Sequence, residues 1–259
     1  MVAQATRLSL FSDDARAALS RLGVSTGVGH EAEAPTLPLP LDWPELAKAL
    51  PDHGLPLGVI ELASSIPKTG AMKGGATTIA LAAIRAIHAR NPRAWCAWVT
   101  PSTTPMLYAP AVAQADVDLD RLLVVRPDPS ALARTVVKVA ASGAFDLVVV
   151  DAQQSGLDGR LDGASERGAG WRRGAPPRVD GSVIVRKLAL DAEERGTASI
   201  LLTNVYAPRP LPWPVALRLE VERRTDAIAI SVTKDRRGRA SARHVVRLER
   251  SAHDVREGL

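Results

Sequence analysis

The sequence holds a single cysteine, few aromatic side chains and no apolar run of membrane-spanning length, and each shortage excludes something. One cysteine, Cys96, rules out an internal disulfide framework and fits a reducing cytoplasm. It stands in the apolar stretch AWCAWV, where a buried and inert thiol is expected. Aromatic residues make up 3% of the chain, little material for a base-stacking platform. The apolar stretch 77–90 is broken by Arg85 and His88, so no membrane span is expected. The opening MVAQATRLSLFSDDARAAL carries no long apolar run before Asp13 and Asp14, which argues against secretion and for a cytoplasmic protein.

What is present suits one large α/β domain, because 259 residues with 46% hydrophobic side chains supply a sizeable core. The formal net charge is +5 and the isoelectric point lies near 9.8, a balance that favours acidic or polyanionic partners. Arginines crowd the last hundred residues, at 167, 172, 173, 178 and 186 and again at 236, 237, 239, 243 and 247. Such a run is either a solvated basic surface or a face for nucleic acid or a partner.

Residues 1–36 read as an N-terminal arm, and 37–259 as the core domain. Within the arm, 13–23 (DDARAALSRLG) has a capping Ser12 or Asp13 and a terminating Gly23, the marks of a short helix. A Gly- and Pro-rich linker follows. From Leu55 the pattern alternates. Strands are predicted at 58–63, 94–100, 121–125 and 197–204, and at 145–152, where FDLVVVDA holds an uncharged run flanked by acids and reads as buried on both faces. Helices are predicted at 77–90, with Thr77 as candidate cap, at 105–115, kinked or broken at Pro110, and at 130–143 and 182–196. Residues 153–181 read as a polar loop, and 215–223, 227–234 and 242–249 as antiparallel strands. The expected fold is α/β, a mostly parallel twisted sheet with helices on both faces, extended by C-terminal antiparallel strands.

This element order resembles the RecA core. LPLGVIEL (55–62) is similar to the strand that leads into the RecA phosphate loop, and SGAFDLVVVDA (142–152) to the Walker B strand. Between them, CAWVTPSTTPMLYAPAVAQADVDLDRLLVVRPD (96–128) resembles a RecA strand, a Tyr-Ala helix and a Val-Asp-x-Asp-x-Leu-Leu segment in succession. The likeness runs from about Leu55 to Leu248, and the RecA C-terminal domain has no counterpart. Within that superfamily, the short length and a degenerate loop resemble the ImuA proteins of bacterial SOS mutagenesis cassettes.

A phosphate loop requires G-x-x-x-x-G-K-[ST] between strand and helix: backbone amides cradle phosphates, the lysine neutralises charge and the hydroxyl holds Mg²⁺. Gly70 and Gly75 keep the spacing and Thr77 supplies the hydroxyl, with Thr78 beside it, but Ala76 stands where the lysine belongs. Lys73 lies inside the loop, and the Lys68-Thr69 pair follows Pro67 with no helix after it. The resemblance also implies an activating glutamate after strand 94–100. Thr100–Thr104 (TPSTT) offer hydroxyls alone, and a hydroxyl does not serve as general base near neutral pH. Asp151 matches the Walker B acid. The nucleotide site so implied (Gly70, Gly75, Thr77, Thr78, Asp151) has lost its catalytic parts. No enzymatic activity, required cofactor or metal is expected, and weak ATP or ADP binding is the residual alternative.

RecA grips single-stranded DNA with two loops. The first maps to 153–181, which carries Arg160, Arg167, Arg172, Arg173 and Arg178, able to neutralise phosphates without reading sequence. The second shrinks to YAPRPLPWP. Lys234 and Arg236 align with the basic pair that RecA presents across its subunit interface. The resemblance therefore implies a non-catalytic accessory of DNA-damage tolerance that binds RecA, restrains recombination or serves translesion synthesis, and meets an ImuB-type subunit. Its rivals are a DNA-stimulated ATPase with a remodelled loop and a plain single-stranded DNA-binding accessory.

Overall fold

Four nearly uninterrupted apolar stretches form the middle of one sheet: β3 (Val59–Ser64), β4 (Cys96–Val99), β6 (Leu147–Asp151) and β7 (Ala198–Asn204), almost every residue of them buried. Strands of that kind need cover on both faces, which parallel sheets receive from their crossover helices. The structure is a computed structural model that describes residues 39–64, 75–152, 181–206 and 214–248. The expected arm over 1–36, with its helix at 13–23, lies outside these residues. So does all but the last residue of the polar loop 153–181.

The remaining strands are β1 (Leu39–Pro40), β2 (Gly54–Leu55), β5 (Leu122–Val125), β8 (Leu217–Arg223), β9 (Ala227–Asp235) and β10 (His244–Arg247). The helices are α1 (Pro44–Ala49), α2 (Ala76–Arg90), α3 (Ala109–Gln114), α4 (Leu132–Ala141) and α5 (Gly181–Arg195). Eight strands run in the order β10-β9-β8-β3-β7-β6-β4-β5. The six from β8 to β5 are parallel, and β9 and β10 add antiparallel ladders at one side. This is the α/β architecture the sequence pattern predicts for a RecA-like core.

Strand alternation divides the core into two layers. Ile60, Leu62, Trp98, Val149 and Leu202 face α2 and α1. Val59, Ala97, Val99, Val148, Val150 and Leu201 face α4 and α5. β8 and β9 turn Leu217, Leu219, Val221, Ile228, Ile230 and Val232 into the α2 layer as well, so that layer spans most of the sheet. Cys96 is fully buried in it, and burial pushes its thiol far above the ordinary range.

Local details depart from the sequence pattern in three places. Pro110 does not break a longer helix; it stands in the first turn of the short α3, where its missing N–H has no intrahelical role. Thr77 does not cap α2, because the cap position belongs to Gly75 and no side chain closes a capping bond. Residues 39–55 carry α1 and the two-stranded β1–β2 ladder, elements too short to show a period.

Candidate functional site

In a doubly wound sheet, ligands bind where the parallel strands end and their loops converge. The same alternation that points Leu62, Trp98, Val149 and Leu202 at α2 puts Ser64, Thr100, Asp151 and Asn204 on that face, two residues on. Register sets Ser64 beside Asn204 and Asp151 beside Leu202. Thr100 is buried, its amide donates to the Val125 carbonyl at 3.0 Å, and its hydroxyl has no hydrogen-bond partner among the described residues. Asp151 is half-buried at the end of β6. A row of short polar side chains thus marks the C-terminal edge of the sheet.

α2 starts over this edge. Its other end, at Ile87, Arg90 and Asn91, shares a cavity with Leu147 and Ala198, the first residues of β6 and β7. Gly75 caps the helix with φ −57°, so no left-handed backbone requires a glycine there. Space does: a Cβ at 75 would lie 2.8 Å from Ile228 Cδ1. Ala76 follows with no exposed surface, its methyl part of the core. Thr77 and Thr78 are half-buried in the first turn. The structure therefore brings Gly75, Thr77, Thr78 and Asp151 to one edge of the sheet. Gly70 lies outside the described residues, as do Lys68, Thr69 and Lys73.

The chemistry of this edge is limited. The amides of a first helical turn attract anions through unpaired N–H groups and the helix dipole. At the position of a Walker lysine the chain offers a buried methyl. Carboxylates are absent from Thr100–Thr104, so no general base comes from that segment.

Lys234 and Arg236 lie at the opposite end. Asp235 pairs with Leu217, where β8 begins, and Arg236 donates its amide to the Ala216 carbonyl at 2.9 Å. The β9–β10 turn consequently projects from the N-terminal ends of the parallel strands. Its arginines are paired within the chain. Arg236 meets Glu193 of α5 at 3.1 Å, with the two side chains 72% and 59% exposed. Arg239 clamps both oxygens of Asp52, at 2.7 and 2.8 Å, and also holds Asp235 at 2.8 Å. Arg237 reaches Asp52 at 3.4 Å. The Arg239 guanidinium holds the Asp52 and Asp235 carboxyls below their ordinary range. Asp52 and His53 both have positive φ, 58° and 56°, at the tight turn that presents Asp52 to this clamp.

Sequence reasoning missed a charge inside the sheet. Glu61, mid-strand in β3, is fully buried and accepts a hydrogen bond from the Thr203 hydroxyl at 2.7 Å, while Arg218 Nε stands 3.6 Å away. One signal was available: a lone acid in the apolar run VIELA demands a partner, and Arg218 alternates with Leu217 and Leu219 in LRLEVER. The five arginines assigned to DNA, Arg160, Arg167, Arg172, Arg173 and Arg178, lie outside the described residues. No described helix is long and apolar enough to cross a membrane. No family model matches the chain, and no curated protein matches its sequence.

Proposed function

We propose that this chain is a non-catalytic RecA-like accessory protein of the bacterial DNA-damage response, which engages RecA, an ImuB-type polymerase-like subunit, or both. The observation that carries the reading is Ala76, a core-packed methyl at the head of α2 in an α/β sheet of the RecA-like kind. A motor of this class needs a cation there to neutralise developing phosphate charge. The edge retains amides, hydroxyls and Asp151 but not that cation, and binding survives such a loss more readily than hydrolysis.

The basic β9–β10 turn supports a docking role. It lies at the far end of the sheet from α2's first turn, and its pairing of Arg236 with Glu193 is exposed. An exposed pair of this kind is worth roughly 0–1 kcal/mol, so a partner carboxylate can replace Glu193 at small cost. The arginines of 153–181 add non-specific attraction for phosphate backbones.

A RecA strand-exchange assay tests the reading. A subunit that adds to RecA and cannot pass on activation lowers exchange yield at substoichiometric ratios, and removal of residues 1–36 relieves the effect. Excess single-stranded DNA separates docking from competition, since a DNA competitor is titrated away and a docked subunit is not. Undiminished strand exchange with excess protein, together with no capture of RecA or an ImuB-type subunit, refutes the proposal.

A further inference from the structure

A cavity of about 550 Å³ opens between the start of α1, the C-terminal half of α2 and the segment joining α3 to β5. Its charged lining is Asp42, Arg85, His88, Asp116, Asp118 and Arg121. Hydrogen-bond capacity decides what this lining can accept. Both cations already donate within the chain: Arg121 to Asp118 at 2.7 Å and to the Asn91 carbonyl at 3.1 Å, and Arg85 through one terminal nitrogen to the Asp42 carbonyl at 2.8 Å, while the buried Arg85 Nε makes no hydrogen bond to a described residue. Asp118 is committed too, to Arg121 and to the Asp120 amide at 2.9 Å.

Three acceptor groups are left. The carboxylates of Asp42 and Asp116 are exposed and make no hydrogen bond or ion pair with a described residue. His88 is different, because it is 5% exposed and neither ring nitrogen has a hydrogen-bond partner among the described residues. The Arg121 backbone faces the imidazole without closing a hydrogen bond. A buried imidazole without partners is costly, and in its neutral form it keeps one nitrogen as an acceptor. The uncommitted set is therefore two anionic acceptors and an imidazole that in its neutral form offers one acceptor and one N–H donor. Its complement is a positively charged group rich in N–H donors. We propose that this cavity binds a small organic cation, a guanidinium or primary ammonium compound, through Asp42, Asp116 and His88.

The probes are methylguanidinium and methylammonium, each a single charge of one headgroup class, with inorganic phosphate as the opposite-charge control, titrated into the full chain. Affinity is read by calorimetry, and the His88 ring nitrogens by long-range proton–nitrogen correlation. Saturable binding of either cation is expected to move the His88 resonances, with phosphate inert. Whichever of the two binds tighter names the headgroup. Asp42→Asn and Asp116→Asn should each weaken binding about tenfold, as for loss of one charge-assisted hydrogen bond. Asn tolerates the left-handed backbone of Asp116, φ 57°, so this variant removes charge without remaking the turn. His88→Asn assigns the resonance; if it does not fold, calorimetry on the two surface variants decides alone. Absence of saturable cation binding, affinity unchanged in both Asn variants, or a phosphate response in place of a cation response overturns the proposal.

Discussion

Gly75 lies against Ile228 so closely that a Cβ at 75 would come within 2.8 to 3.0 Å of three Ile228 side-chain atoms. Ile228 is fully buried and cannot swing aside. The glycine that matches a phosphate loop is thus also a packing requirement between α2 and β9. Gly75→Ala is expected to destabilise the fold by about 1–3 kcal/mol, the usual cost of overpacking. Ile228→Val in the same chain should recover part of that loss, so the two effects will not add. Thermal melts of the single and double variants measure this; simple additivity would show that the contact is not the cause.

Restoring the lysine should not restore a motor. Ala76 belongs to the core, so Ala76→Lys pushes a long charged chain into packed surroundings and is expected to lower Tm. Phosphate release with ATP and single-stranded DNA should stay at background in the parent chain, in this variant and in Thr77→Ala. Turnover in the parent above the Thr77→Ala level contradicts the non-catalytic reading.

The clamp between Arg239, Asp52 and Asp235 makes part of the stability pH-dependent. Both acids are held below their ordinary value of about 3.8 when folded, so they favour the folded state wherever they are ionised. That contribution is complete above the unfolded value and is lost as pH falls through the lower, folded one. The Tm gap between the parent and Arg239→Ala should accordingly be constant from pH 7 down to about pH 5 and close below pH 3.8. High salt should narrow it wherever the acids are ionised, chiefly through Arg239 and Asp52, whose side chains are 40% and 35% exposed. A gap that widens in acid would mean the clamp has been given the wrong sign.

Removing the buried acid of β3 should cost more than removing any surface pair. Glu61→Ala removes the buried acceptor of the Thr203 hydroxyl and one of the two carboxylates beside Arg218, which keeps Glu220 at 3.3 Å, and a buried polar group left unsatisfied costs about 1–3 kcal/mol. Glu61→Leu combined with Arg218→Leu replaces both charges with apolar bulk and should be milder than Glu61→Ala alone. Urea denaturation midpoints at constant m-value settle the order of the two.

How much of this was visible in the sequence depended on length and on range. FDLVVVDA announces β6 because burial on both faces leaves no polar residue between Asp146 and Asp151. LRLEVER announces β8 because only one of its faces enters the core. α1 shows no such pattern, since its six residues bury only Leu46 and Ala49. In the site, Gly75, Thr77, Thr78 and Asp151 were legible through motif spacing. Ser64, Thr100 and Asn204 join them only once strand register is known. The Asp52–Arg239 pair spans 187 positions, and no local pattern carries a contact of that range. The exposed turn at Lys234 and Arg236 read as a basic patch, whereas Asp52 and Glu193, remote in sequence, supply its counter-charges.

The position of β3 has a consequence for how the chain comes into being. It is the first strand of the eight-stranded sheet to be made, yet its neighbours β7 and β8 come only after β4, β5 and β6, and its Glu61 waits for Thr203 across 142 positions. A nascent chain that ends before Ala198 holds an apolar strand with both edges unpaired and a charge without its partners. Such contacts are slow to form, and open edges invite pairing between chains. Fragments that stop short of β7 are therefore poor stand-ins for the protein in expression or interaction screens, and internal truncations of the C-terminal third remove the centre of the sheet as much as its margin.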